Sequence, residues 1–451
     1  MSLHRFCWRV GFATGLTLSM GGPDPRHSTF ESAVLLAQAA GTTPSSLRLG
    51  QLYRALDSVN PRIAAAGALA LAAEARVPPA RRPPDPQLQF GLMNRSLPGF
   101  GFSDPLGMNQ IQLMQMIPFP GKLGLAGRVA SERADADRSR AQDVAWDVRA
   151  RGAMAFYELY QMDQSLRVAE QTLRIVRDLA KVAETMYSVG EGRQADVLRA
   201  QVEIARMTED VVRMQTERVA AAARLNALLA TAPTAEVGSP LRPAFPETLP
   251  PLDSLVADAD RQRPMVVAAQ AEVRAAEAGV RSAKREIWPD FQLGIQYGWR
   301  PMEGGTDHMV SLMLGLNLPI FAGSRQLAMR REAVAMRQMA SADLTAMRAD
   351  TRSRVAELYA GAERARRLGD LYKGTILPQA QTTVSAALSA YRVGSVDFMT
   401  VVDDQMTVNR YQQELLALEA ERGQALAELE MLLGRPLFNP DEPSLAAGGH
   451  P

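Results

Sequence analysis

The 451-residue chain carries 50 basic and 49 acidic side chains for a net charge of +1, so no global attraction to nucleic acid is expected. Its residues are 47% hydrophobic but only 6% aromatic, an apolar content of Ala, Val, Leu and Met that suits long helices better than sandwiches. A single cysteine, Cys7, and four histidines, His4, His27, His308 and His450, exclude an intrachain disulfide and any Cys-rich or multi-His zinc site, so no metal centre and no cofactor is expected.

Residues 1–45 place His4, Arg5 and Arg9 ahead of a short apolar run from Val10 to Met20, the order of a secretory signal. A second apolar stretch, Ser32 to Ala40, contains Ala37-Gln38-Ala39, which satisfies the small-x-small cleavage rule. This segment is read as a signal, processed or disordered region. Cys7 follows no apolar run and so lacks the context of a lipoprotein acceptor. Elsewhere no uninterrupted apolar run reaches the roughly 18 residues of a membrane helix, so any membrane contact must come from strands or from a surface.

The first patterned elements are two alternating segments. Leu88, Phe90 and Leu92 alternate with Gln87, Gln89 and Gly91, and Gln110-Ile111-Gln112-Leu113 begins a partner strand whose alternation blurs at Met114. From Lys122 to Tyr187 the chain has no proline, and a continuous helix of that length would reach about 100 Å. A turn, Ser188 to Arg193, follows, in which Gly190 can take the left-handed conformation that stops a helix. Beyond it Val197, Ile204, Val211 and Leu225 keep a seven-residue spacing, the mark of a coiled-coil hairpin arm.

The second half repeats this plan. Phe291, Leu293, Ile295 and Tyr297 alternate with Gln292, Gly294 and Gln296, and Val310, Leu312, Leu314, Leu316 and Leu318 alternate with Ser311, Met313, Gly315 and Asn317. The arm from Ser324 toward Tyr391 meets Pro378, where a kink or break is expected. Gly394 marks the second tip, and Val401, Val408, Leu415 and Leu429 form the second heptad seam. Arg218 and Arg422 interrupt the two seams at equivalent places; such residues either set register or snorkel to solvent.

Tyr187 to Leu229 can be laid on Tyr391 to Leu433 without a gap, with Tyr187/Tyr391, Gly190/Gly394, Gln201/Gln405, Arg206/Arg410, Arg218/Arg422 and Leu229/Leu433 among the identities. Upstream, Pro84-Asp85-Pro86-Gln87-Leu88 matches Pro289-Asp290-Phe291-Gln292-Leu293, and Ile117-Pro118-Phe119 matches Leu318-Pro319-Ile320. The chain therefore divides into a first repeat of helix, β-hairpin and helical hairpin over 46–240, a second over 241–437, and a disordered tail over 438–451. Four strands of membrane-spanning length cannot close a barrel, and open edges are forbidden in hydrocarbon. Either several chains share one barrel, or the sheet is soluble and covered on one face by helices.

Several pieces recur in one order: Leu49-Gly-Gln-Leu-Tyr53, Asn60-Pro61-Arg62-Ile63, Pro84 to Leu88, Gln115-Met-Ile-Pro-Phe-Pro-Gly-Lys122, Ile287-Trp-Pro-Asp290, Leu316-Asn-Leu-Pro-Ile-Phe-Ala-Gly323 and both Tyr-x-x-Gly tips. That order, over about residues 48–437, resembles the TolC family of outer-membrane efflux channels. The resemblance implies a fold that is mainly α with β, in which long antiparallel coiled-coil hairpins form an α-barrel and four strands per chain contribute to a trimeric 12-stranded transmembrane β-barrel. It implies a homotrimer in the outer membrane of a Gram-negative bacterium, extending into the periplasm and docking a periplasmic adaptor (membrane fusion) protein and an inner-membrane pump. By position, Tyr187, Gly190, Tyr391 and Gly394 would be the adaptor-contacting tips. Asp196 and Asp403 would sit at the periplasmic constriction, with Asp404 as a neighbour sharing that role. Three symmetry-related carboxylates in a narrow mouth would concentrate cations.

The function so implied is a passive exit duct for small molecules or metal ions. The Pro118-Phe119-Pro120-Gly121-Lys122 stretch is similar to the heavy-metal branch of the family, and His308, Met309 and Met313 form a small cluster of soft ligands. Two other readings remain: a type I protein or polysaccharide secretion channel, and a soluble periplasmic coiled-coil scaffold. The chain has no phosphate-cradling loop, G-x-S-x-G elbow or H-E-x-x-H motif, so no enzymatic activity is expected.

Overall fold

The computed structural model describes residues 46–94, 107–242, 244–302 and 304–441; the expected N-terminal signal lies outside them. Chain entry is held by a two-stranded parallel pair, β1 (Ser46–Leu47) with β4 (Ser239–Pro240). Strands this short carry no periodic signal, so the sequence does not announce them. Helix α1 (Leu49–Val59) buries Leu49, Leu52 and Leu56 on one face and stops at Asn60, because Pro61 cannot continue its hydrogen-bond ladder. Pro61 instead opens α2 (Pro61–Ala75), where its missing N–H costs nothing. Asn60 Oδ1 caps that helix by accepting the Arg62 N–H at 2.9 Å, and Asn60 Nδ2 donates to the Leu228 carbonyl at 2.7 Å. A four-residue helix, α3 (Val77–Ala80), leads to the sheet.

Helix α4 (Lys122–Ser188) runs unbroken for 67 residues, as the absence of proline predicts. It is the centre of the helical body, packing on α2, on α5 (Gln194–Leu228), on α7 (Pro264–Arg285) and on α10 (Phe398–Leu433). Helix α8 (Gln326–Leu371) adds to α7 and α10 on the far side, and α6 (Leu252–Gln262) packs against α8. The main core gathers Phe156, Tyr157 and Leu159 of α4 with Leu49, Leu52 and Leu56 of α1 and Leu225 of α5. Close approach of α10 requires glycine at 423, since a Cβ there would stand 2.5 Å from the Tyr157 ring. Of the seam residues, Leu225, Val401, Val408 and Leu429 are buried, and Val197, Ile204, Val211 and Leu415 are half-buried.

Two expectations are corrected. No break occurs at Pro378. A π-helical turn, Tyr372–Ile376, joins α8 to α9 (Leu377–Arg392), and the Leu377 N–H reaches back to the Tyr372 carbonyl. The wider turn takes up the pyrrolidine ring and the lost donor, so the helix continues through the proline. The tail expected to be disordered from residue 438 is instead packed at its start. Phe438 meets Phe245 edge-on at 6.1 Å, and Asp441 pairs with Arg54 at 2.8 Å.

The seam arginines set contacts and do not point to solvent. Arg218 reaches the buried Asp163 of α4. Arg422 lies 5.3 Å over the Phe245 ring and donates to the Pro246 carbonyl.

Candidate functional site: a two-faced sheet and two helix tips

Four antiparallel strands, β2 (Gln87–Met93), β3 (Met108–Ile117), β5 (Asp290–Met302) and β6 (Gly305–Asn317), form one sheet in the order β2-β3-β5-β6. Both hairpins and the seam between repeats share one parity. Leu88 lies opposite Leu113, Leu113 opposite Ile295, and Ile295 opposite Leu312; one step along, Phe90, Ile111, Tyr297 and Val310 form the next row. Because side chains alternate, all of these share a face. That face is open: Leu314 is 80% exposed and Phe90 73%. The other face carries Gln89, Gln112, Gln296 and Ser311 in one row and Gln87, Met114, Gly294 and Met313 in another. The methionines that blur the alternation of β3 in the sequence thus belong to the polar face.

Aromatic groups mark both ends of the sheet. At the helical end Phe119 stacks on Trp288 at 5.0 Å and on Phe291 at 6.5 Å. At the loop end Tyr297 lies 5.7 Å from Trp299 and stacks on His308, whose Nδ1 is 2.7 Å from the Tyr297 hydroxyl. Phe291 and Trp299 are about 26 Å apart along β5, or about 20 Å in height at the tilt of a barrel strand, so the aromatic groups bracket most of an apolar membrane band about 25 Å tall. Strand parity separates His308 from Met309 and Met313, which lie one and five residues on, so the three do not converge as a ligand set. Among the described residues neither outer edge, β2 or β6, has a strand partner.

The helical end of the sheet is anchored by charge. Lys122, at the start of α4, sits 2.9 Å from Asp290 and 3.4 Å from Glu286. Asp290 also accepts the Phe119 N–H at 2.8 Å, which ties the end of one hairpin to the start of the next.

Both expected tips are closed by the same backbone motif. Gly190 (φ +84) donates to the Tyr187 carbonyl at 3.0 Å, and Glu191 N–H to that of Met186 at 3.0 Å. Gly394 (φ +70) donates to Tyr391 at 2.9 Å, and Ser395 N–H to Ala390 at 3.0 Å. These are paired Schellman bonds, which need a left-handed residue where each glycine stands. The tyrosines then diverge: Tyr187 is 48% exposed, whereas Tyr391 is 6% exposed. Phe398 explains the difference, because it packs 5.4 Å from the Tyr391 ring while its counterpart in the first repeat is Gln194.

The three candidate constriction aspartates occupy different environments. Asp196 is buried in the first turn of α5 beside Tyr391, whose hydroxyl is pushed up by burial and by the charges of Asp196 and Asp397. The Tyr391 hydroxyl is enclosed and meets no hydrogen-bond partner among the described residues. Asp403 is exposed on α10, and Asp404, half-buried, lines a shallow cleft with Gln379, Thr383, Thr407 and Tyr411. Thus Asp196 lies between the two tips, Asp403 faces outward, and Asp404 lines the cleft between α9 and α10. Asp397, which precedes α10, lies 3.9 Å from Arg199 of α5 and adds a charged link between the hairpins. Its counterpart in the first repeat is Arg193, a charge reversal that comparison of the repeats makes visible.

Among the described residues no helix is long and apolar enough to cross a membrane. The model of the outer membrane efflux protein family matches residues 52–231 and again residues 255–435. Among curated proteins none matches the chain. Several solved structures share its fold. CusC, described in terms of transmembrane channel formation, is 18% identical over 86% of this chain and 92% of its own, with a TM-score of 0.75. The outer membrane protein VceC of Vibrio cholerae is 17% identical over 86% and 97%, at 0.71. The open-state outer membrane channel MtrE of Neisseria gonorrhoeae is 18% identical over 86% and 89%, at 0.72.

Proposed function

The chain belongs to the outer membrane efflux protein family, and on that premise we propose that it is the passive exit duct of a tripartite efflux system. Three copies would close their sheets into one twelve-stranded barrel, and their helices would continue it as a tunnel through the periplasm. The observation that carries this reading is the sheet itself, which has one open apolar face, one Gln/Met/Gly face and, among the described residues, two unpartnered edges. In hydrocarbon every backbone N–H and C=O must be satisfied within the protein, so such a sheet is viable only in a closed ring. A soluble scaffold has no use for a row of exposed leucines between aromatic girdles.

Cargo would pass along the Gln/Met/Gly face, and no residue set on it calls for tight binding. The cargo class is small molecules or metal ions delivered by an inner-membrane pump. A periplasmic adaptor would dock at the tips around Tyr187, Gly190, Tyr391 and Gly394. Asp403, exposed on α10, and Asp404, in the cleft beside it, would set the charge of the periplasmic mouth.

The test is to isolate the full chain from the outer-membrane fraction, run it unboiled on a gel and reconstitute it in planar bilayers. A species of about three times the chain mass that gives discrete ion-conductance steps is expected. A monomer without conductance overturns the reading.

A further inference from the structure

The internal duplication specifies which residues meet when a second copy closes the sheet, an inference that rests on the shared-barrel reading. Strands β2 and β5 are equivalent because Pro84 to Leu88 aligns with Pro289 to Leu293. Strands β3 and β6 are equivalent through two independent anchors. Pro118 aligns with Pro319, and the hairpin registers, Leu88 opposite Leu113 and Leu293 opposite Leu314, demand the same correspondence.

Within the chain, β3 meets β5 across the repeat boundary with Ile111 opposite Tyr297, Leu113 opposite Ile295 and Gln115 opposite Leu293. Moving this seam forward by one repeat puts β6 in the place of β3 and β2 of a second copy in the place of β5. We propose that the barrel closes with Leu314 opposite Phe90 of the partner subunit, Leu312 opposite the partner subunit's Leu92 and Leu316 opposite the partner subunit's Leu88.

Two features of the chain that did not enter the transfer agree with it. A register shift of one residue would turn an entire strand over, yet the transferred seam sets apolar against apolar. On the other face it sets Met313 against Gly91 of the partner subunit, which Gln110 of its own chain already covers. The seam's end agrees as well. Phe119 is covered by Trp288 and Phe291 within the chain, but its counterpart Ile320 and the adjoining Phe321 are 82% and 74% exposed. One repeat earlier, Trp288 and Phe291 are replaced by Pro83 and Pro86, both also exposed. The closed seam lays Ile320 and Phe321 on Pro83 and Pro86 of the partner subunit, so proline rings take the place of the aromatic ones.

Directly opposed residues in an antiparallel pair have Cα atoms about 4.5–5.5 Å apart, within disulfide reach, whereas diagonal neighbours stand about 7–8 Å apart. In a full-length Cys7→Ser background, the pair Leu314→Cys with Phe90→Cys, and separately Leu316→Cys with Leu88→Cys, should oxidise to a covalent ring. That ring would migrate at about three times the chain mass and return to one chain mass on reduction. The shifted pairs Leu314→Cys with Leu88→Cys and Leu314→Cys with Leu92→Cys should stay largely monomeric on the denaturing gel. Cross-linking of a shifted pair in preference to both in-register pairs overturns the register while leaving the shared barrel standing. So does failure of both in-register pairs in a protein that sediments as a trimer in detergent. A chain that sediments as a monomer, with no pair cross-linked, overturns the shared barrel together with the register.

Discussion

Glu430, in the last turn of α10, accepts the Leu437 N–H at 2.7 Å and so ties the chain beyond Gly434 back onto the helix it has just left. The carboxyl is buried, and burial pushes it up to about 7 against the opposing pull of the Leu437 and Phe438 N–H groups and Arg149. In the unfolded chain it titrates near 4.5, so between the two values the folded state binds more protons. The stability that the protonated group contributes is full below about pH 4.5 and is lost as pH rises through about 7. Over that interval the loss is on the order of 3 kcal/mol. Glu430→Gln keeps the acceptor and removes the titration, so its melting temperature should change less than that of the parent between pH 5 and pH 8. Equal slopes in the two proteins would show that another group carries the effect.

The Arg218–Asp163 pair joins the two arms of the first hairpin, with Asp163 5% exposed and its second oxygen without a partner among the described residues. Arg218→Ala leaves that carboxylate buried and unpaired, which should cost about 3 kcal/mol or more. The double variant Arg218→Met with Asp163→Leu removes both charges and should recover most of the loss. Thermal unfolding of the three proteins decides the matter. A double variant no better than Arg218→Ala would show that the pair contributes packing and not charge compensation.

Much of this architecture could be read before the structure, for identifiable reasons. Strand parity was plain in β6, where Leu at every second position leaves one assignment, but not in β3, where Met108, Met114 and Met116 stand on the polar face and look apolar in a pattern count. The glycines of the tips were legible because a left-handed turn tolerates few other residues. The different burial of Tyr187 and Tyr391 was not, since it depends on Phe398 in one repeat and Gln194 in the other. Pro378 calls for a kink or a break, and of these the break does not occur because a single π turn accommodates the proline without ending the helix. Asp196 and Asp403 each follow a tip glycine by a short stretch, Gly190 and Gly394 respectively, yet helix phase turns one inward toward Tyr391 and leaves the other exposed.

On the sheet, Leu314 and Ser311 point to opposite faces of β6. Leu314→Arg should cost about 2–4 kcal/mol of barrel stability if its face meets lipid near the bilayer midplane. Ser311→Arg, placed toward the tunnel, should cost far less. Heat-modifiability on gels, followed as the temperature at which the unboiled species dissociates, separates the two. Equal effects would count against the assignment of the faces.

The aspartates of the tips are expected to separate in the same manner. Asp403→Ala should lower the cation selectivity of single channels in bilayers, because an exposed carboxylate at a narrow mouth raises the local cation concentration. Asp196→Ala should leave selectivity unchanged, because the group is buried, and lower the stability of the tip, since an acidic side chain in the first turn of α5 complements the helix dipole. Unaltered recordings for Asp403→Ala would remove that residue from the mouth.

Gly394 gives the sharpest test of the tips. Its φ of +70 is held by the bonds that Gly394 and Ser395 send back into α9, and no described atom lies within 4 Å of where a Cβ would stand. Alanine therefore meets no clash, and the penalty is backbone strain alone, about 1–2 kcal/mol. Asparagine, which enters the left-handed region more readily, should cost less. Because the strain falls on a surface turn far from the sheet in sequence and outside the main core, trimers should persist in Gly394→Ala. Adaptor affinity, measured by titration onto the immobilised channel, should fall by up to about tenfold, the equivalent of 1.4 kcal/mol. Gly394→Asn should restore most of it. Loss of the trimer in Gly394→Ala would make the turn a structural element of assembly, and unchanged affinity would move the docking surface away from this tip.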